Sequence, residues 1–225
     1  MTPSLSIVIP TWNEAETIAE TLAALSPLRE AGVELLVVDG GSDDGTPARC
    51  RDRVDRVLHA PLGRARQMNA GAAASRGEVL LFLHADTRLP DNALESIVAT
   101  MADGAAWGRF DVHIAGRSRM LPVIAAMMNR RSRWTGIATG DQAIFVRRTV
   151  FEGIGGFPDQ ALMEDIELST RLRRHHRPIC LRSRVVTSGR RWDRRGVWRT
   201  IVLMWSLRLR YWLGASADGL ARSYR

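Results

Sequence analysis

The 225-residue sequence contains no lysine: all 32 of its Lys and Arg positions are Arg, a uniformity that fits codon bias and discounts any single guanidinium as a mark of function. Cysteine is almost as scarce. Cys50 and Cys180 stand far apart without metal-ligand spacing, which argues against a disulfide framework or a Cys-based metal site and suits a reducing compartment. The N-terminal run MTPSLSIVIPTWNEAE has no basic stretch ahead of a long apolar one and no small-residue cleavage site. No signal peptide is therefore expected, and the chain is assigned to the cytoplasm. Repeats and low-complexity tracts are missing too. So is a G-x-G-x-x-G run after a strand, since GGSDDG does not supply it, and this argues against a nicotinamide or flavin enzyme. What is present is globular: 45% apolar and 25% charged residues, in a length that suits one compact domain.

The net charge of +8 is unevenly spread. Residues 171–225 hold 15 Arg against only Asp193 and Asp218, a net of +13, whereas residues 1–170 hold 17 Arg against 22 acids, a net of −5. A basic end on a mildly acidic body points to an anionic partner: a phosphorylated substrate, a membrane surface or nucleic acid.

Buried-strand runs at Leu5–Ile9, Val33–Val38, Val54–His59 and Glu78–Leu83 alternate with helical stretches at Asn13–Leu25, Asp43–Arg53 and Gly63–Ser75. That rhythm predicts an α/β fold with a parallel, Rossmann-like sheet over residues 1–100. Beyond it the rhythm breaks. Gly108–Ile114 alternates like a strand with one solvated face, Arg119–Met128 is helical, Ala143–Val146 is a short strand, and Leu162–Arg173 is a helix. The expected organisation is a single domain over 1–225, with a nucleotide-binding half (1–100), a mixed acceptor-binding half (101–190) and a basic amphipathic end (191–225).

In open parallel sheets ligands bind beyond the carboxyl ends of the strands. Here those ends are polar: Pro10, Thr11, Trp12, Asn13 and Glu14 after the first strand, Asp39 to Asp44 after the second, and His84, Ala85 and Asp86 after the fourth. Converging loops of this kind would offer hydrogen-bond acceptors to a base and ribose, and a carboxylate to a cation. A divalent ion at Asp86 makes sense if the ligand is a diphosphate, because Mg2+ takes one or two carboxylates plus phosphate oxygens. His84, two residues earlier, faces the same side in extended chain; it is either a second ligand, better tolerated by Mn2+, or a hydrogen-bonding group in the crevice. Glu164, Asp165 and Glu167 in MEDIEL would raise one another's proton affinity if partly buried and so gain base character, or else form a solvated acidic helical turn.

The runs SIVIPTWNEAETI, ELLVVDGGSDDGT, QMNAGAAASRGEVLLFLHADT, GDQAIFV with IGGF, and MEDIEL together resemble the family 2 glycosyltransferases of the GT-A fold, in order and over nearly the whole chain. A narrower likeness, carried by GDQAIFV, TSGRRW, YWLG and LARSYR, is to the bacterial branch associated with radical-SAM and selenodomain proteins and linked to arsenosugar biosynthesis. The resemblance implies an inverting, metal-dependent hexosyltransferase-type enzyme that moves a sugar from a nucleotide-diphosphate donor to an acceptor hydroxyl. It places Pro10, Thr11, Asn13, Glu14, Asp39, Ser42, Arg66, Asn69, Ala85 and Asp86 on the donor, with Mn2+ or Mg2+ held by Asp86 and His84. It makes Asp165 the general base, and sets Gly140, Asp141, Gln142, Glu164, Arg191 and Trp192 on the acceptor side. Two positions depart from the family pattern. Gly40 stands where a second Asp commonly faces the base, and His84-Ala85-Asp86 replaces Asp-x-Asp, which leaves ligation to Asp86 with more water.

A nucleotidyltransferase would need a Gly-rich basic loop after the first strand, where PTWNEAE stands. A nucleic-acid-binding module would account for the basic end but not for the ordered acidic loops, so no nucleic-acid partner is expected. In Val197–Leu213 a helical wheel gathers Trp198, Ile201, Val202, Trp205, Leu209, Trp212 and Leu213 within an arc of about 120°. Arg208 and Arg210 keep the run short of the ~20 apolar residues of a membrane span. Either this face lies on an anionic membrane, near a lipid-linked acceptor, or it packs on the protein's own sheet or in a homodimer.

Overall fold

The computed structural model describes residues 4–224; residues 1–3 and 225, which include both ends of the expected domain and the last residue of LARSYR, lie outside the described residues. The first apolar run becomes strand β1 (Leu5–Thr11), buried along its whole length because parallel neighbours pair with both of its edges. Side chains alternate between two cores. Ile7 and Ile9 join Ile18, Leu22 and Leu25 of helix α1 (Ile18–Glu30), while Val8 joins Met68 and Ala72 of helix α3 (Arg64–Ala74) on the opposite face. Gly71 lets α3 lie this close, since a Cβ there would stand 2.3 Å from Val8 Cγ1.

Strands β2 (Glu34–Asp39), β3 (Arg56–His59) and β4 (Val79–Phe82) complete the parallel half, with the short helix α2 (Thr46–Cys50) between β2 and β3. The second half adds β5 (Thr87–Arg88), α4 (Ala93–Ala102), β6 (Trp107–Ala115), α5 (Leu121–Thr135), a 3-10 turn at Gly140–Gln142, β7 (Phe145–Arg147), α6 (Arg148–Gly153), α7 (Glu164–Arg173) and β8 (Ile179–Ser188). Helices α8 (Arg190–Arg195), α9 (Val197–Trp212) and α10 (Ala217–Tyr224) close the described chain. One sheet runs through both halves in the order β3-β2-β1-β4-β7-β6-β8-β5. Because β7 is antiparallel to both β4 and β6, and β8 is parallel to β6, strands β1, β2, β4, β6 and β8 all end on the same edge of the sheet. The α/β, mostly parallel architecture expected from the sequence is present, including its mixed half and its amphipathic C-terminal helix.

Three local expectations differ from the structure. Helix α1 starts at Ile18 and not at Asn13; Asn13 has a φ of 53° and residues 15–17 form a turn, so Glu14 leaves the helix and enters the cleft. Strand β6 has no broad solvated face. Arg109 is fully buried beneath α5, ion-paired with Asp111, whose other oxygen takes Arg133 Nη2 at 2.5 Å, so the polar residues of the alternation pair inside the protein. The apolar face of α9 does not pack on the sheet as a whole. Ile201 reaches the main core, but Trp198, Val202, Trp205, Leu209, Trp212 and Leu213 remain exposed, while Leu207 and Met204 on the other side pack with Leu162, Met163 and Leu220.

Candidate active site

The shared edge of the sheet opens into a cavity of about 810 Å³. Its floor comes from strand ends: Glu14 after β1, His84 and Asp86 after β4, Ser188 and Arg190 after β8. Its far wall comes from the Gly140–Gln142 turn and the start of α7, and its rim from α5, α9 and α10. Of the residues singled out from sequence, Glu14, His84, Asp86, Gly140, Asp141, Glu164, Asp165, Arg191 and Trp192 all line it.

Asp165 sits at the N-terminus of α7, where the exposed peptide dipoles favour a carboxylate. Oδ2 accepts from the Gly140 N–H at 2.8 Å and Oδ1 from the Ile166 N–H at 2.7 Å. Burial nevertheless dominates and lifts its proton affinity above the ordinary carboxylate range, with those two bonds pulling the other way and the Asp141 charge adding to the rise. Glu164 is raised for the same reason, by burial and then by the charge of Asp165. Neither carboxyl forms the solvated helical turn that the sequence left open. Asp141 goes the opposite way: against the effect of burial, its contact with His84 and the charges of Arg64 and Arg191 hold it low.

His84 is engaged as well, Nδ1 lying 3.3 Å from Asp141 Oδ1. The ring packs flat enough on Gly140 that a Cβ there would come within 2.4 Å of Nε2, which explains a glycine at that position. At the neighbouring strand end, Arg190 Nη2 donates to Glu14 Oε2 at 3.2 Å and to Asp86 Oδ2 at 3.4 Å. Among the described residues no three His, Cys, Asp or Glu side chains are grouped to hold a cation by themselves. Asp86 still suits one, because Mg2+ commonly binds through one or two carboxylates and completes its shell with substrate phosphate and water.

The remaining donor-side residues lie outside the cavity. Asp39 is fully buried and gives its carboxylate to its own loop, accepting from the Gly41 and Ser42 N–H groups at 2.9 and 2.8 Å and from Ser42 Oγ at 2.5 Å. Thr11 Oγ1 also donates to Asp39, at 3.3 Å. Pro10 is a buried β1 residue, the Asn13 backbone N–H donates to Ser42 Oγ at 2.9 Å, and the Ala85 carbonyl accepts from Thr21 Oγ1 at 2.6 Å. Asn69 ties α3 to the backbone of Phe157, Arg66 pairs with Asp159 at 2.7 Å, and Gln142 is buried against Asn129. These residues shape the loops around the site.

Several cavity residues were not assigned to the site from sequence, among them Arg64 at the start of α3, Arg131 on α5, Arg208 on α9 and Tyr224 on α10. Arg64 keeps solvent contact, and against the cost of desolvation Glu164, Tyr224, Asp141 and Asp165 hold it firmly protonated. Arg191 lies 3.9 Å from the centre of the Tyr224 ring, a cation–π contact. Only helix packing brings these residues together, and no local motif announces it.

A family model described as "Glycosyl transferase family 2" matches residues 6–157, more than half of the chain. The chain belongs to glycosyl transferase family 2. Among curated relatives, this transferase is 29% identical over 195 residues to the probable glycosyltransferase YdaM of Bacillus subtilis, covering 76% of the chain and 46% of the relative. It is also 32% identical over 93 residues to the glucosyl-3-phosphoglycerate synthase of Mycolicibacterium paratuberculosis, covering 37% of the chain and 28% of that protein. The chain thus spans about half or less of the length of these two relatives. Solved structures share the fold: the mannosyltransferase PcManGT of Pyrobaculum calidifontis, in complex with GDP-Man and Mn2+, superposes with a TM-score of 0.65 at 22% identity over 92% of this chain and 61% of that one. S. aureus TarS in complex with UDP-GlcNAc gives 0.67 at 17% identity over 83% and 58%. The GT-A architecture follows from the family and from these neighbours.

Proposed function

We propose that this chain is an inverting, metal-assisted hexosyltransferase whose general base is Asp165. The observation that carries the reading is the placement of a half-buried carboxylate of raised proton affinity, fixed by the Gly140 and Ile166 N–H groups, in one cavity with Asp86 and Arg190. The acceptor hydroxyl gives its proton to Asp165 as its oxygen attacks the anomeric carbon, and the bond from that carbon to the donor phosphate breaks with its electron pair on the leaving diphosphate. Attack opposite the leaving group inverts the centre. Base catalysis of this kind contributes roughly 10² to 10⁴ in rate. Arg190, now shared between Glu14 and Asp86, is within reach of the diphosphate, and a guanidinium binds such oxygens bidentately. A Mn2+ or Mg2+ ion on Asp86 would neutralise charge on the leaving group when bound; His84, held by Asp141, is an indirect partner of that site.

Donor recognition falls to the loops built on Pro10, Thr11, Asn13, Asp39, Ser42, Arg66 and Asn69, and the acceptor side to Asp141, Glu164, Arg191 and Trp192. The motifs GDQAIFV and TSGRRW support membership of the radical-SAM/selenodomain-associated branch. Helix α9 supports a place at the inner face of the cytoplasmic membrane. Its Trp198, Trp205 and Trp212 are 69%, 64% and 81% exposed beside Arg199 and Arg210, a combination that suits an anionic lipid surface, and no helix among the described residues is long and apolar enough to cross one.

The test is a panel of nucleotide sugars assayed for hydrolysis and for thermal stabilisation with Mn2+ or Mg2+. One donor should stabilise the protein in a metal-dependent way, and Asp86→Ala should remove that dependence. Equal donor affinity with and without divalent metal in the wild type would end the metal-assisted mechanism, and no donor binding at all would end the transferase reading.

A further inference from the structure

The rim of the cavity formed by α5 and α9 carries two cations that the transfer step leaves unused. Arg131 and Arg208 both line the cavity, and Nε and Nη2 of Arg131 and Nε of Arg208 are buried without a hydrogen-bond partner. Three other arginines of the cavity have charged or aromatic partners. Arg190 is shared by Glu14 and Asp86, Arg64 is balanced by Glu164, and Arg191 is stacked on Tyr224, although its Nη1 is also buried without a hydrogen-bond partner. Unpaired guanidinium N–H groups out of water are costly, and buried cations are ordinarily paired. The same cavity is also lined by apolar side chains, among them Ile124, Met127, Leu162 and Met204. Burial lowers the proton affinity of Arg131, Asp165 restores part of it, and the charge of Arg109 adds to the fall, so Arg131 stands within electrostatic reach of the proposed base.

We propose that Arg131 and Arg208 form an anion subsite for the acceptor, which carries a phosphate ester bound by these two guanidiniums while its hydroxyl meets Asp165. The inference rests on the transferase reading above. An anionic phosphate group would supply the hydrogen-bond acceptors that these two guanidiniums lack, and Arg presents forked donors that match its oxygens. The apolar wall around them takes the carbon skeleton of the same molecule. A soluble phosphorylated compound and a lipid headgroup share this chemistry.

Calorimetry with inorganic phosphate on the metal-free full chain tests it. Wild-type protein should bind phosphate, and Arg131→Gln and Arg208→Gln should each weaken binding about 10-fold or more. Arg131→Lys, which keeps the charge and loses the fork, should fall in between and serves where Arg131→Gln does not fold. Nucleotide-sugar affinity should be unchanged in the Arg131 and Arg208 variants. Phosphate affinity that is equal in wild type and the Arg131→Gln/Arg208→Gln double variant, or absent from the wild type, overturns the subsite. Failure of the wild type to bind any nucleotide sugar overturns the transferase reading instead. Displacement of phosphate by glycerol 3-phosphate identifies a soluble ester, and by phosphatidylglycerol vesicles a lipid headgroup; displacement by neither overturns the acceptor assignment.

Discussion

Asp165 shows how a residue acquires a role from its surroundings. Its type is common and its position in MEDIEL leaves open a solvated helical turn or a base, yet partial burial raises its proton affinity while two backbone N–H groups fix its direction. Asp165→Asn should lower turnover by at least ~10² while leaving donor affinity intact, since the base acts on the acceptor; steady-state rates beside calorimetric donor binding check both halves. The raised proton affinities of Asp165 and Glu164 also set a pH dependence. The base acts only when deprotonated, so the acid limb of kcat/KM should lie above the ordinary carboxylate range, and Glu164→Gln should move it down by removing a neighbouring negative charge. For stability the sign is the reverse of a salt-bridged acid. Both groups bind protons more tightly folded than unfolded, so the stability they contribute is full below the unfolded value and is lost as pH rises through the folded one. A pH–rate profile unchanged by Glu164→Gln would separate that residue from the base.

At the scale of elements, α9 carries the clearest surprise. Trp198, Trp205 and Trp212 stay in water on one side, while Leu207 is fully buried on the other. Co-sedimentation with liposomes should show salt-sensitive binding to anionic vesicles and little to neutral ones, lost when the three Trp are replaced by Ser; equal binding to both would assign the face to a second subunit. Strands β1, β2 and β4 were legible in the sequence because they are buried on both faces and read as continuous apolar runs, as in LSIVI and VELLVV. Strand β8 was not. Its residues Ile179 to Ser188 include Arg182 and Arg184, and pairing with β6 and β5 at the sheet's margin holds it where hydrophobic pattern does not. Within the site, the strand-end residues Glu14, His84 and Asp86 were readable from the rule that ligands sit there. Arg64, Arg131, Arg208 and Tyr224 were not, because the contacts that bring them to the cavity join residues far apart in the chain.

The molecule as a whole is one sheet closed at one edge by the last part of the chain. Helix α10 seals that edge: Leu220 is fully buried with Leu162, Met163 and Leu207, and Tyr224 covers Arg191 in the cavity. Leu220→Ala should therefore cost about 2–5 kcal/mol, the usual range for emptying a well-packed Leu site, read as a lower midpoint in urea; an unchanged midpoint would show that the helix is not docked. Docking of α10 has a consequence for synthesis. The strands of the parallel half lie within the first 82 residues and pair with one another, so they can find their partners early, whereas the wall holding Arg208 and Tyr224 can form only after those residues have left the ribosome. A nascent chain halted before α10 would hold every strand of the sheet beside a cavity still lacking Tyr224.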